Sequence, residues 1–423
     1  MAERASTWAP TEDQIRQCYI YLLSRFLVIR QELTDRAEDG FAYNRIKYNP
    51  LGSADFVNPN FDVAYLEAWF AVDDDTAVLL EVPEVRGRYY TAQVLDEWGE
   101  VIFNINERTT PSKPFGTFAL VKPGTDPAIA DGATRIDLHS AKAKMLARVE
   151  IGDDPDGALA LQRKFAATPL GPIEVAEPPK IPAFDNANLL GVDIFDNLGA
   201  VLGSALDVSP AAFAMQVLAQ SIAGYLAADP GARERVDTFL RETVVPEFKE
   251  YALTQGAPYV NRWMGGSPSG NYGADYTVRT IVNLLGIWAN TSDEVVYFNT
   301  SRAADGKPLD GADSYVIDFP AEGLPDSVVV DGYWSVILVS VPDFRVIPNA
   351  LHRYNFNNYS PLTYEPDGSL RIGIGPKPVA GVPESNWLPS APGQPFSLTF
   401  RCYVPKSFVG GGGWAPPPLT AVH

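Results

Sequence analysis

The stretch Gly87-Arg88-Tyr89-Tyr90-Thr91-Ala92-Gln93-Val94-Leu95-Asp96 carries the reading of the fold. Between an opening glycine and a closing aspartate it is rich in aromatic and β-branched residues, the composition of a short strand between turns. Strict alternation puts Arg88 and Tyr90 on one face, and Gln93 joins them only through a bulge or a turn of the chain. Similar short runs flank it: Ala64–Phe70, Ala77–Pro83 and Thr117–Val121. Gly, Pro and Asp break these runs at the intervals of a β-sandwich, and the pattern continues to about Ile151.

Working outward, Thr11-Glu12-Asp13-Gln14 reads as the cap of a helix that continues through Cys18 to Ile29. Pro155-Asp156-Gly157 opens a second helix, which Thr168-Pro169-Leu170-Gly171-Pro172 is expected to end, and residues 172–186 read as a Pro-rich linker. Residues 187–255 are mostly helical, and 260–300 are mixed. From Tyr315 the period returns to two, in Ser335–Ser340, Leu370–Ile374 and Phe396–Arg401. The expected organisation is a leader and helix over 1–45, a β domain with linker over 46–186, a helical segment over 187–258 and a second β domain over 259–423. The fold class is therefore mainly β with a helical insert.

Composition excludes more than it assigns. The 423 residues carry 33 Lys and Arg against 52 Asp and Glu, a formal net charge of −19. Nucleic-acid binders need a basic stripe that releases counterions from phosphate, and no Lys/Arg cluster occurs here, so nucleic acid and anionic membrane surfaces are not expected partners. The run around Cys18 is too short and too charged to span a bilayer, and it makes a poor signal peptide, so a cytoplasmic location is expected. Cys18 and Cys402 sit in apolar contexts and read as buried thiols. The three histidines, His139, His352 and His423, lack metal-ligand spacing, and no Walker loop, dinucleotide fingerprint or nucleophile elbow is present. No metal or cofactor is expected.

Three polar segments stand oddly among the apolar strands: Asn58–Tyr65, Gly87–Asp96 and Asn106–Thr110. A carboxylate such as Asp62 beside Arg88 or Arg108 can bind a polar ligand or orient a proton transfer. The structural alternative is a buried ion-pair network that fixes a sandwich corner.

Taken in order, these segments resemble the paired DUF1254/DUF1214 family. The N-terminal match rests on Asn58-Pro59-Asn60-Phe61-Asp62, Gly87-Arg88-Tyr89-Tyr90 with Gln93 and Asp96, Arg108-Thr109-Thr110, and Leu161-Gln162 with Thr168-Pro169-Leu170. The C-terminal match rests on Gly332-Tyr333-Trp334-Ser335, Arg353-Tyr354, Asp367–Leu370, Asn386-Trp387-Leu388-Pro389, Pro395-Phe396 and Arg401–Pro405. The resemblance implies two jelly-roll-like β-sandwich domains with a helical segment between them and no established reaction. Family members often carry a His before the Asn-Pro-Asn-like motif, and Phe41-Ala42-Tyr43-Asn44-Arg45 has none.

Two functions follow as expectations. In the first, the N-terminal domain binds or hydrolyses a small polar or carbohydrate-like ligand. Asp62 or Asp96 is then the acid/base, Arg88 and Arg108 hold an anionic or hydroxylated group, and Asn60, Tyr90 and Gln93 complete the site. Asn386 and Trp387 form a second, sugar-stacking site. In the second, the chain is a self-assembling double jelly roll without catalytic activity. A homo-oligomer is expected.

Overall fold

The computed structural model describes residues 8–52, 59–341 and 343–422; Asn58 and His423 lie outside these. The first helix, α1 (Glu12–Arg36), begins as its capping sequence predicts. The Thr11 hydroxyl accepts from Gln14 N–H at 3.2 Å, and Gln14 Oε1 accepts from Thr11 N–H at 3.0 Å. Nine of its consecutive residues, Tyr21–Ile29, are buried, as expected of a helix apolar on most of its circumference.

The N-terminal sandwich comprises β1 (Lys47–Tyr48), β2 (Val63–Ala71), β3 (Val78–Val82), β4 (Tyr90–Leu95), β5 (Val101–Ile105), β6 (Gly116–Val121), β7 (Thr134–Asp137), β8 (Lys142–Glu150), helix α2 (Pro155–Gln162) and β9 (Ala166–Pro169). One sheet runs β1-β2-β8-β4-β5 and the other β7-β6-β3-β9. Leu66, Phe70, Val94 and Met145 from the first meet Leu80, Phe118 and Leu120 from the second in one core. The segment expected to end the second helix is itself a strand: β9 pairs with β3, Val78 opposite Pro169. Proline is tolerated there because β9 is an edge strand.

The helical segment contains α3 (Leu198–Gly203), α4 (Ala212–Ala228), α5 (Pro230–Phe239) and α6 (Val245–Thr254). The last two are joined through a π turn at Leu240–Val244, just before Pro246, whose missing N–H disrupts the regular ladder. Their apolar faces close on α1 in a core that includes Leu22, Phe26, Ile222, Leu240 and Val244. Helix α1 therefore packs as part of this helical layer.

The C-terminal sandwich follows with β10 (Tyr259–Val260), β11 (Trp263–Gly265), helix α7 (Tyr276–Leu285), β12 (Val295–Thr300), β13 (Ser314–Phe319), β14 (Trp334–Ser340), β15 (Asn355–Asn357), β16 (Leu370–Gly375), β17 (Trp387–Pro389), β18 (Phe396–Tyr403) and β19 (Thr420–Val422). A six-stranded sheet, β10-β11-β12-β18-β14-β15, covers a four-stranded one, β17-β16-β13-β19. Trp334 stacks on Phe400 at 5.5 Å in their shared core. The molecule is thus two jelly-roll-like β-sandwiches with a helical layer. No helix among the described residues is long and apolar enough to cross a membrane.

The two larger sheets also face each other. In β2, Ala64, Leu66 and Ala68 enter the sandwich core while Val63 and Tyr65 turn the other way; in β18, Leu398, Phe400 and Cys402 point inward while Tyr403 turns outward. Those outward residues meet across the seam, so every residue of β4 and β18 is buried. A strand buried on both sides needs partners for the polar residues of its second face, and those partners form the site.

Candidate binding site between the two sandwiches

Arg148 is the central residue of the seam. It lies on β8, opposite Tyr65 of β2 and Thr91 of β4. It is 2% exposed. Among the other buried or half-buried arginines of this region, Arg25 pairs with Glu97, Arg279 with Asp207 and Arg108 with Glu294, while Arg401 of β18 donates to the Pro59 carbonyl at 3.2 Å. Arg148 pairs with no carboxylate among the described residues. Its Nη1 donates to Gln93 Oε1 at 2.6 Å, its Nη2 reaches the Trp288 carbonyl at 3.5 Å, and its guanidinium sits 5.5 Å from the Tyr65 ring. Of the five N–H donors of a guanidinium, two are engaged, the second weakly, and Nε has no partner. An arginine cannot shed its proton, so this is a buried positive charge compensated only by neutral groups.

The local backbone is shaped around it. Trp288, with φ of +66°, is a bulky residue in the left-handed region, a conformation that costs about 1–3 kcal/mol and persists where surrounding structure fixes it. Its carbonyl thereby faces Arg148, while Gln93 Nε2 donates to the next carbonyl, Ala289, at 2.7 Å. Gln93 thus bridges Arg148 to the loop after α7.

Arg148 also lines a cavity of about 250 Å³ where the N-terminal sheet, the ends of α6 and α7, and the C-terminal sheet converge. Tyr297 of β12 lines it as well. Its hydroxyl has no hydrogen-bond partner among the described residues, and burial raises its pKa against the opposing charge of Arg148. Val278, Ile281, Val282, Ile287 and Trp288 make an apolar wall. Gly265 contributes where β11 crosses β12, and an added Cβ there would stand 2.1 Å from the Tyr297 carbonyl.

A second polar cluster lies in the same seam. Asp62 Oδ1 accepts from Asn355 Nδ2 at 3.0 Å and Asn357 Nδ2 at 2.9 Å, both from the other sandwich. Burial raises the pKa of Asp62, while Ser335, Asn357, Arg401 and Asn355 act against that rise. Asn60 donates to the hydroxyls of Tyr403 at 2.6 Å and Tyr65 at 3.2 Å. Arg108 grips Glu294 through Nε at 2.9 Å and Nη2 at 2.8 Å, and Tyr89 donates to the same carboxylate at 3.1 Å.

Of the residues singled out in the sequence, Asn60, Asp62, Gln93 and Arg108 therefore come together in the seam. Tyr90 turns into the N-terminal core and donates to the Pro114 carbonyl. Arg88 precedes β4 and pairs with Asp154 at 2.8 Å near the start of α2. The register does shift in β4, but between Val94 and Leu95, beyond Gln93. Asp96 closes the far end of β4, accepting from Trp98 N–H and Glu100 N–H and holding His139 Nδ1 at 2.7 Å. Asp62 and Asp96 flank opposite ends of the sheet, separated by the length of β4, about 20 Å at about 3.3 Å per residue. That exceeds the roughly 5–9.5 Å over which paired carboxylates cooperate in glycoside hydrolysis. Asn386 donates to the Thr363 and Arg371 carbonyls, and Trp387 Nε1 to the Gly375 carbonyl, so both fasten a loop of the C-terminal sandwich. Sequence reasoning passed over Arg148, Tyr297, Trp288 and Glu294.

Fold and site together define a double β-sandwich protein with a cation-lined cavity at its seam. The chain belongs to the family that pairs DUF1254 with DUF1214: residues 41–169 match DUF1254 and residues 294–407 match DUF1214, each described as a protein of unknown function. No curated protein matches the sequence. The crystal structure of the VPA0106 protein from Vibrio parahaemolyticus has the same fold, with a TM-score of 0.69 over 97% of this chain and all of that one, at 19% identity. An uncharacterized protein from Burkholderia cenocepacia aligns over 97% of this chain and 94% of its own, at 15% identity and a TM-score of 0.44.

Proposed function

We propose that the protein binds a small organic anion in the cavity at the seam, with Arg148 as its counter-charge and Tyr297 as a hydroxyl partner. The observation that carries this reading is a fully buried guanidinium, without a carboxylate among the described residues, in the wall of a 250 Å³ cavity. Holding such a charge in the interior costs several kcal/mol, and an anion delivered to it recovers part of that cost. The reading moves the expected polar-ligand site from the N-terminal sandwich to the junction of both sandwiches with the helical layer. It favours a charged ligand over a neutral sugar.

The test is thermal unfolding against a panel of organic acids and neutral sugars, with Arg148→Gln as control. Organic acids are expected to raise Tm in a saturable way, sugars to leave it unchanged, and Arg148→Gln to remove the response. A flat response to every organic acid sinks the proposal. Self-association is a second reading, drawn from the exposed apolar residues Leu206, Val208, Phe213 and Val217 of the helical segment, Phe213 being 81% exposed. Light scattering across a concentration series decides it: a monomer throughout removes it.

A further inference from the structure

Building on the organic-anion reading, we infer that the cavity takes a monocarboxylate with an apolar body, its carboxylate toward Arg148 and Tyr297 and its body along the α7 wall. Charge restricts the ligand first. Arg148 is the only charged residue among the described lining residues, so the site balances one negative charge. A phosphate dianion or a dicarboxylate would bring a second charge into apolar surroundings with no cation to meet it. The net charge of −19 further disfavours multiply charged anions.

Several polar groups of the lining are already engaged. Ser267 Oγ donates to the Gly256 carbonyl at 3.4 Å, and Ser269 Oγ to the Asn290 carbonyl at 2.7 Å. Asn299 Oδ1 accepts from Thr399 Oγ1 at 2.8 Å. Those hydroxyls point into the protein, and a polyol entering the cavity would leave most of its own hydroxyls unpaired. Apart from the Asn299 amide N–H, the unengaged side-chain donors are those of Arg148 and Tyr297, which suit one carboxylate head.

The wall is apolar. Val278, Ile281, Val282 and Leu285 follow one another at helical spacing along α7, and Ile287 and Trp288 extend the surface. This surface rewards methylenes or a ring. The volume lies just below the roughly 300–1,000 Å³ of drug-sized pockets, so the body is short.

Calorimetric titration of the full chain with straight-chain monocarboxylates from acetate to octanoate, benzoate, hexanol, succinate and inorganic phosphate tests the inference. Affinity is expected to rise about fourfold per methylene until the cavity fills, since each buried methylene contributes about 0.8 kcal/mol. Hexanol, succinate and phosphate are expected to bind at least tenfold more weakly than hexanoate. Val282→Phe, which narrows the apolar wall and leaves Arg148 intact, is expected to shorten the preferred chain. It keeps the test open should Arg148→Gln not fold. Tighter binding of succinate, or affinity independent of chain length, overturns the monocarboxylate inference and leaves the organic-anion reading standing, whereas tighter binding of inorganic phosphate overturns both. No binding of any anion overturns both.

Discussion

At the scale of single residues, Arg148 gives a test in which stability and binding move in opposite directions. Replacing a buried, poorly compensated ion by an apolar side chain of similar volume is often neutral or stabilising, by up to about 1–4 kcal/mol. Arg148→Met is therefore expected to raise Tm by a few degrees while abolishing the response to organic acids. The gain should be larger in Arg148→Met with Gln93→Leu, because Gln93 Oε1 otherwise loses its 2.6 Å donor. A fall in Tm in both variants would mean that Gln93, the Trp288 carbonyl and the Tyr65 ring already satisfy the charge, and that Arg148 is a fastener. The sequence hides this residue for a physical reason. On β8, Lys142, Lys144, Arg148 and Glu150 alternate with Ala143, Met145, Ala147 and Val149, the pattern of a strand with one wet face. Only the second sandwich and the helical layer make that face dry. Asn60, Asp62, Gln93 and Arg108 were legible because amides and charges interrupt otherwise apolar or turn-rich segments, yet nothing in them announces Trp288's backbone or Tyr297's open hydroxyl.

Another residue carries a pH dependence. Glu100 is buried, and that burial pushes its pKa up from 4.5 to about 7 against the Tyr272 N–H and Arg279, with Asp96 and Asp207 adding to the rise. Between those values the folded protein holds a proton that the unfolded chain has released. The contribution of Glu100 to stability is therefore complete below about pH 4.5 and lost as pH rises through 7. Glu100→Gln lacks that titration, and Arg279 keeps Asp207 at 2.9 Å. Relative to the parent, the variant is expected to gain about 1–3 kcal/mol in urea unfolding between pH 5 and pH 8. A difference that stays flat with pH would mean that Glu100 remains ionised in the folded protein.

At the scale of elements, periodicity located β2, β4, β6, β14, β16 and β18 within about two residues of the expected runs, because each has a core face of alternating apolar residues, but the nine-residue β8 was not among those runs. The short edge strand β9 was not legible, because Thr168-Pro169-Leu170-Gly171-Pro172 has the composition of a loop, and pairing with β3 outweighs it. Helix α7 was hidden in a mixed stretch, although its Asp275 cap accepts from Val278 N–H at 3.0 Å. One element contact is narrow enough to test. Where β11 meets β12, a methyl on Gly265 would lie 2.1 Å from the Tyr297 carbonyl and 2.7 Å from the Phe298 Cα, both backbone atoms that cannot yield cheaply. Gly265→Ala is expected to cost about 2–4 kcal/mol in denaturant unfolding and to weaken organic-acid binding by displacing Tyr297. Gly199→Ala is a control for an added methyl without a clash, since nothing stands within 4 Å of its Cβ position and its φ is not positive. Equal losses in the two variants would mean that the close approach to β12 is not what Gly265→Ala disturbs.

At the scale of the whole molecule, the seam determines how the two sandwiches unfold. Separating them would uncover Tyr65, Tyr89, Tyr333 and Tyr403, and would strip Asp62 of both its asparagine donors. Each sandwich would lose the hydrogen bonds and ring contacts it makes across the seam, so the parent is expected to melt in a single calorimetric transition despite its size. The pair most responsible is Arg108 with Glu294: two short bonds from one guanidinium, a third from Tyr89, and a carboxylate side chain only 1% exposed. Removing one member of a fully buried pair typically costs about 3–5 kcal/mol, and because Arg108 is 27% exposed with Glu107 at 3.6 Å, Glu294→Ala is expected to cost less than that. That loss falls on the seam and not on either core, because Arg108 comes from one sandwich and Glu294 from the other. Glu294→Ala is therefore expected to split the transition in two, the first step exposing tyrosine while both β cores persist by far-ultraviolet circular dichroism. Saturating organic acid should bring the two transitions back together, since its cavity draws walls from both sandwiches. A single transition, merely shifted to lower temperature, would mean that the sandwiches are coupled through the helical layer instead of through the seam.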